Sequence, residues 1–199
     1  MPPLAERQHH RLLHLPYRSW CKHCISGRGR EDAHKRQENR ERLVPRVWLD
    51  YTFANMGTEV LTILCLKDET SGAVESIAVP EKGAADYAVK AAVRAIEAWG
   101  LKRVTLVADG EAAIQALLTA IKLHREKETV VTGKPRYDSK SKGVVENANM
   151  LAKGLLRTWV SSLEAHYKVE LESHHAVVEW AVWHCGWSLT RNTALRTTA

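Results

Sequence analysis

The sequence lacks several features that define whole classes of protein. No apolar run reaches the roughly 18 residues of a membrane-spanning helix. Charged side chains interrupt the N-terminal residues, where a secretory signal needs an unbroken apolar stretch. No glycine-rich phosphate loop with a lysine is present, so nothing supports an NTP-hydrolysing enzyme. We therefore expect a chain that is neither exported nor inserted in a membrane.

Cysteine is scarce, because the 199 residues include only four, too few for the disulfide scaffold of a secreted protein. Cys21 and Cys24 form a CxxC pair, which in a reducing compartment favours metal binding over a disulfide. His10 and His14 precede this pair at a spacing that puts both on one face of a helix. Two histidines and two cysteines are a ligand set of closed tetrahedral zinc sites. We predict one structural zinc ion on these four residues.

Two further histidines are alternative zinc ligands: His23 lies inside the CxxC pair, and His34 follows ten residues after it. Positive charge is concentrated in the same part of the chain. Residues 1–46 contain eleven Lys or Arg and five acidic residues, whereas the remainder contains eighteen of each. A basic appendage on a neutral domain indicates binding to a polyanion, because each neutralised phosphate releases counterions. The alternative is a solvated arm with no partner.

The pattern after residue 45 alternates between strands and helices. Runs rich in β-branched and apolar residues predict strands at 47–54, 60–67, 73–79, 103–108 and 129–131. Apolar residues at helical spacing predict helices at 84–99, 111–124, 143–165 and 174–189, and polar residues predict a loop at 132–142. Three antiparallel strands followed by β–α units predict a mixed five-stranded sheet flanked by helices. We expect two domains, 1–44 with the zinc module and linker, and 45–199.

Three acidic residues stand where this topology can bring them together. Asp50 lies in the middle of the first strand, where aspartate is rare and costly to bury without a partner. Asp109 ends the fourth strand, and Glu146 lies in the first turn of the long helix. Neighbouring carboxylates repel unless cations separate them, and Mg²⁺ and Mn²⁺ prefer such oxygen ligands. The alternatives are that Asp109 only forms a turn and that Glu146 only caps its helix.

Three segments resemble those of retroviral and copia-type retrotransposon integrases. KSKGVVENANMLAK (140–153) resembles the helix start that carries the family's catalytic glutamate, and LDYTF (49–53) and LVADGE (106–111) resemble its two aspartate segments. The resemblance implies a ribonuclease H-like fold. It also implies catalysis by Asp50, Asp109 and Glu146 on two Mg²⁺ or Mn²⁺ ions, with Asp50 bridging both ions. The implied reaction is polynucleotidyl transfer, which processes retroelement DNA ends and joins them to target DNA.

The resemblance carries further expectations about the whole protein. It implies a homo-oligomer that is made in the cytoplasm as part of a polyprotein and acts in the nucleus. The N-terminal HHCC module of the family has a much longer interval between its histidines and cysteines, so we expect a smaller zinc knuckle here. The chain ends at LTRNTALRTTA, and we expect the C-terminal DNA-binding part of a full integrase to be missing.

Basic residues beside the third carboxylate are candidates for DNA contacts. Lys153 and Arg157 share a helix face with Glu146, and Lys140 and Lys142 lie in the preceding segment. The alternative is a solvated helix face. Two rival functions also remain open. One is a nuclease or transposase of the same fold, and the other is a non-catalytic or decayed zinc protein that only binds nucleic acid.

Overall fold

The computed structural model describes residues 2–28, 44–57, 59–133 and 139–197, and among these the side chains of all but 28, 133, 139–142 and 193–197. Its elements, in chain order, are α1 (Leu4–Leu13), α2 (Lys22–Arg28), β1 (Arg46–Met56), β2 (Glu59–Asp68), β3 (Val74–Val79), α3 (Asp86–Ala98), β4 (Val104–Ala108), α4 (Ala112–His124), β5 (Thr129–Gly133), α5 (Ser139–Tyr167) and α6 (Ala176–Thr197).

The five strands form one sheet in the order β3-β2-β1-β4-β5. β1 pairs antiparallel with β2, which pairs antiparallel with β3. On its other side β1 pairs parallel with β4, which pairs parallel with β5. The predicted mixed sheet is therefore confirmed. β1 is central, so it is covered on both faces and contributes side chains to both layers of helices.

Each face of the sheet has its own hydrophobic core. On one face α3 and α4 cover alternate residues of β1, among them Leu49 and Tyr51. On the other face α5 and α6 cover Ala54 of β1 and Cys65 of β2. The side chains of β1 alternate between these layers because successive residues of a strand point to opposite faces. Among the described residues no helix combines the length and apolar character needed to cross a membrane.

Two helices extend beyond their predicted bounds. α5 begins at Ser139, inside the segment predicted as a loop, so that prediction is wrong for residues 139–142. Gly143 suggested a helix start, but a glycine inside a helix costs only about 1 kcal/mol, and twenty-four further residues compensate it. α6 continues to Thr197, eight residues past its predicted end. The sequence also indicated no regular element at 4–13, where α1 forms.

The N-terminal helices pack on the long helix of the core. α2 lies against α5, and Arg157 of α5 donates hydrogen bonds from Nε and Nη2 to the carbonyl oxygen of Gly27, at 3.2 and 3.1 Å. Glycine permits this approach, because a Cβ at position 27 would meet Thr158 Oγ1 and lie 2.9 Å from the carbonyl oxygen of Gly154. The division into domains 1–44 and 45–199 stays a prediction, since residues 29–43 lie outside the described part of the chain.

We expect Gly27→Ala to destabilise the protein by about 1–3 kcal/mol, since the new methyl group forces α2 away from α5. Gly143→Ala is the matched control, because a Cβ there has open space around it. Alanine at that helical position should stabilise the protein by about 0.5–1 kcal/mol. Denaturant unfolding of both variants measures these changes. Equal stability of the two would contradict the close contact between α2 and α5.

Glu75 of β3 is half-buried, and burial raises the pKa of its carboxyl group to about 7. An acid whose pKa is higher in the folded state than in the unfolded state destabilises the fold once it ionises. The penalty is absent at pH 4, grows as the pH rises through 4.5 to 7, and is complete above pH 7.

Glu75→Gln should therefore stabilise the protein at pH 8 by on the order of 2 kcal/mol and leave its stability at pH 4 almost unchanged. The control is Glu126→Gln, at an exposed residue. Free energies of unfolding measured at both pH values test whether the stabilisation by Glu75→Gln depends on pH. A gain that is the same at pH 4 and pH 8 would show that ionisation of Glu75 is not its source.

Candidate active site and metal centre

The register between β1 and β4 sets the positions of the two aspartates. Trp48 pairs with Val107 in this parallel ladder. Continued by two residues, the same register places Asp50 beside Asp109, which follows the last residue of β4. Neighbouring strands lie about 4.8 Å apart, and paired residues of parallel strands point to the same face. The register therefore directs Asp50 and Asp109 toward the carboxyl end of β4, where the charge of Asp109 raises the pKa of Asp50.

α5 brings the third carboxylate to this point. Val145 packs on Trp48 and Val107 in a small core of its own, which anchors the start of the helix over the strands. Glu146, the next residue, is exposed beside that contact. One turn later, Asn149 Nδ2 donates a hydrogen bond to Asp50 Oδ2 at 2.7 Å. The helix is thus fixed against β1 by an apolar contact and a polar one.

The pKa of Asp50 depends on the charges of both other carboxylates. Burial raises the pKa of Asp50, and the charges of Asp109 and then Glu146 raise it further. Hydrogen bonds from the backbone N–H of Tyr51 and from the Asn149 amide oppose the shift. Repulsion of this kind is relieved when cations bind between the carboxylates. The site therefore has the electrostatic character of a divalent-cation site.

The donor set fits magnesium or manganese. All three side chains offer only oxygen, which these hard cations prefer. Asp50 is half-buried and held by Asn149, whereas Asp109 and Glu146 are exposed. Exposure leaves room for the waters that Mg²⁺ retains in proteins.

Asp109 also forms the turn that the sequence left as its alternative role. Its Oδ1 accepts a hydrogen bond from the Glu111 backbone N–H at 3.1 Å. Gln115 Nε2 of α4 donates to the Asp109 carbonyl oxygen at 2.5 Å. One carboxylate oxygen thus holds the turn, while the second is free to bind a cation. The turn and a metal-binding role are compatible.

Four N-terminal side chains form a second candidate metal site. The ligand atoms of His10, His14, Cys21 and Cys24 all lie within 4.8 Å of one another, and all four residues are buried. Cys24 Sγ lies 3.3 Å from His10 Nε2 and 3.8 Å from His14 Nδ1. Cys21 Sγ lies 3.6 Å from His14 Nδ1. Among the described residues, no other His, Cys, Asp and Glu side chains are gathered so closely.

Three of these distances, 3.3, 3.6 and 3.8 Å, fit a tetrahedral zinc ion. With Zn–S bonds of about 2.3 Å and Zn–N bonds of about 2.0 Å, the ligand atoms of a tetrahedron are about 3.3–3.8 Å apart. The local backbone favours this arrangement. α1 ends at Leu13, and His14 follows in a left-handed conformation (φ 51°), with its N–H bonded to the His10 carbonyl oxygen at 2.7 Å. The turn keeps the imidazoles of His10 and His14 beside Cys24 Sγ.

The structure also locates the competing ligands. His23 Nδ1 lies 3.0 Å from Ser161 Oγ of α5, so this ring contacts the core. Burial, and then the charges of Lys22 and Arg11, lower the pKa of His23. His34 lies outside the described residues.

The predicted DNA contacts have different surroundings. Lys153 of α5 is half-buried, and Arg157 binds the Gly27 carbonyl oxygen, so its guanidinium joins α2 to the core. The side chains of Lys140 and Lys142 are outside the described part of the structure. Sequence reasoning missed two contacts at these sites, those of Asn149 with Asp50 and of Arg157 with Gly27. The position of Asn149, one helical turn after Glu146, was the one available signal for the first.

Comparisons with known proteins support the fold. No protein-family model matches the chain, and no curated protein matches its sequence. The catalytic core domain of BIV integrase is similar in structure, with a TM-score of 0.50, 23% identity, and coverage of 72% of this chain and 81% of that one. The HTLV-2 integrase catalytic core in complex with magnesium is similar in its dimeric form (TM-score 0.51, 17% identity, 73% and 87% coverage) and its trimeric form (0.52, 17%, 73% and 86%). The predicted ribonuclease H-like fold of integrase cores is therefore confirmed.

We expect the purified chain to contain about one zinc ion, and Cys21→Ser to lose it, because a hydroxyl group cannot replace a thiolate ligand. Cys65→Ser is the control. Cys65 is fully buried in the core and lies outside the His and Cys cluster, and burial raises the pKa of its thiol to about 12. Elemental analysis of both variants measures the zinc content. Full zinc content in Cys21→Ser would exclude this ligand set.

Proposed function

We propose that this chain is the catalytic core of a retroelement integrase, a metal-dependent polynucleotidyl transferase that processes DNA ends and joins them to target DNA. The observation that carries the proposal is that the charges of Asp109 and Glu146 both raise the pKa of Asp50, which lies in the central strand of a ribonuclease H-like sheet. The similarity to integrase cores, one of them solved with magnesium, supports it. We further propose that the protein acts in the nucleus as a homo-oligomer.

The role of each residue follows from its surroundings. Asn149 holds one oxygen of Asp50 by the 2.7 Å hydrogen bond. The same contact fixes the orientation of the carboxylate and therefore of its other oxygen. Asp109 and Glu146, on a turn and a helix, provide the exposed ligands. Two divalent ions bound here would activate a water or 3′-hydroxyl group and stabilise the leaving oxygen at phosphorus. The chain itself contributes negative ligands at fixed positions, and the chemistry requires no side-chain nucleophile.

The N-terminal module has a structural role in this proposal. A zinc ion on His10, His14, Cys21 and Cys24 would contribute on the order of 10 kcal/mol to the folding of a segment with little apolar core. The folded module would then be held on α5 by the contact between Gly27 and Arg157. Lys140, Lys142, Lys153 and Arg157 remain proposed DNA contacts.

Two rivals share part of these features. A nuclease or transposase of the same fold would use the same carboxylates but release hydrolysed ends instead of joining them. A non-catalytic protein would bind DNA through its basic N-terminal module without any metal-dependent reaction. The mutual repulsion at Asp50 favours a catalytic site, since an unused buried carboxylate beside two others only destabilises the fold.

Asp109→Asn should reduce Mn²⁺-dependent cleavage and joining of labelled duplex ends by about a thousandfold, because a lost ligand removes several kcal/mol of charge stabilisation. Asp86→Asn is the matched control, since Asp86 is an exposed residue of α3 that pairs only with Lys90. Circular dichroism should show both variants folded. Undiminished joining by Asp109→Asn would overturn the assignment, and hydrolysis without joining in the wild type would favour a nuclease.

A further inference from the structure

A cleft of about 410 Å³ lies between the N-terminal module and the second half of α5. Its walls carry Arg7 and Arg11 of α1, Lys22 at the start of α2, and His23 and His166. None of the twelve lining residues is acidic. At about 30 Å³ per water molecule, the cleft has room for an anion with its hydration shell, whereas a single metal ion needs far less space.

The three cations of the cleft lie close together and have no carboxylate partner among the described residues. Arg7 Nε is buried without a hydrogen-bond partner there. Arg11 Nη2 reaches only His166 Nδ1, at 3.5 Å, which is the limit of a hydrogen bond. The acidic residue of α1, Glu6, is occupied by Arg18 at 3.2 Å. Within the described part of the chain, no carboxylate neutralises the charge of the cleft.

Some cations of the core are paired at short distances, as in the contacts Lys82–Glu111, Lys90–Asp86 and Arg103–Glu128, each 2.7 Å long. Arg7 differs from the exposed cations because its Nε is buried. A buried guanidinium nitrogen without a partner costs free energy that the fold must compensate. The cost is recovered if an anion binds. Guanidinium groups match the oxygens of a phosphate with two parallel hydrogen bonds.

The floor of the cleft does not oppose an anion. It is formed in part by His10, His14 and Cys21. A zinc ion bound by two thiolates and two neutral imidazoles leaves the metal centre with no net charge. The positive field of Arg7, Arg11 and Lys22 then dominates the cleft.

The cleft is separate from the three catalytic carboxylates. His166 lies twenty residues after Glu146 in α5, which corresponds to about 30 Å along the helix axis. Twenty residues at 100° each also turn the helix by about 200° beyond five full turns, so the two residues lie on opposite sides of α5. Substitutions in the cleft therefore leave the active site intact.

We propose that this cleft binds a phosphate group of the DNA backbone through Arg7, Arg11 and Lys22. It would be a second DNA-binding site, distant from the active site. The choice of DNA rests on the proposed function. The phosphate is held between the module and α5, so binding requires both parts to be in contact.

The test uses the zinc-loaded full chain and a fluorescein-labelled 20-base-pair duplex, without added Mg²⁺ or Mn²⁺. Fluorescence anisotropy gives the affinity between 50 and 300 mM KCl. Arg7→Gln/Arg11→Gln should weaken binding about tenfold at 100 mM salt and reduce the slope of log K against log salt by about one. The control is Arg94→Gln/Lys122→Gln, which removes the same charge from exposed positions of α3 and α4. It should change the affinity less than about twofold.

Equal losses in the two double variants would overturn the proposal, because DNA would then respond only to net charge. Zinc content and circular dichroism report whether α1 still folds. If the double variant loses zinc, Lys22→Gln alone should still weaken binding several-fold, and Arg7→Lys/Arg11→Lys should retain zinc and most of the affinity. Unchanged binding in Lys22→Gln would then refute the assignment.

A second measurement separates two sources of phosphate. Calorimetric titration with inorganic pyrophosphate that shows binding lost in the double variant, with duplex affinity unchanged, would assign the cleft to a small anion and refute the DNA proposal. The same experiments distinguish failure of the cleft proposal from failure of the proposed catalytic function. Asp109→Asn should bind the duplex with the wild-type salt slope, whereas the cleft variants should keep their metal-dependent chemistry at saturating DNA.

Discussion

The pairing register of β1 with β4 is the constraint on which the candidate active site depends. Trp48 opposite Val107 brings Asp50 beside Asp109, and a shift of one residue would send one carboxylate to the opposite face of the sheet. The apolar contact of Val145 with the same pair positions α5 and therefore Glu146. Burial of a small hydrophobic cluster thus opposes the repulsion between three negative charges. Hydrophobic packing stabilises the arrangement, and the repulsion between the carboxylates destabilises it.

The sequence predicted site residues correctly where their chemical type is unusual for the local pattern of strand or helix. Aspartate inside an apolar strand is costly without a partner, so Asp50 was visible as a candidate, and the spacing of His10, His14, Cys21 and Cys24 indicated a metal site that the structure brings together. The order of strands and helices predicted the sheet. Asn149 and Arg157 show where this reasoning stops. The partners of both lie about one hundred residues or more away in sequence, and no periodicity reports which distant oxygen a side chain reaches.

α5 joins the two parts of the protein. Its first turns lie over β1 and β4, its middle is held to α2 at Gly27, and its second half forms one wall of the basic cleft. The N-terminal module is therefore attached to the element that carries Glu146. Such an attachment keeps a basic surface at a constant distance from the carboxylates, because a helix changes its length little under thermal motion.

The spacing between Glu146 and Arg157 has a consequence for how such chains can diverge. Eleven residues make about three full helical turns, so both side chains project from the same side of α5. Inserting or deleting a single residue between them would rotate Arg157 by about 100° around α5 relative to Glu146. The N-terminal module would then lose its contact with α5 at Gly27. Related sequences should therefore keep this interval free of gaps while their side chains vary. Length changes should accumulate instead in the connections between elements, where added residues leave the helical phase unaltered.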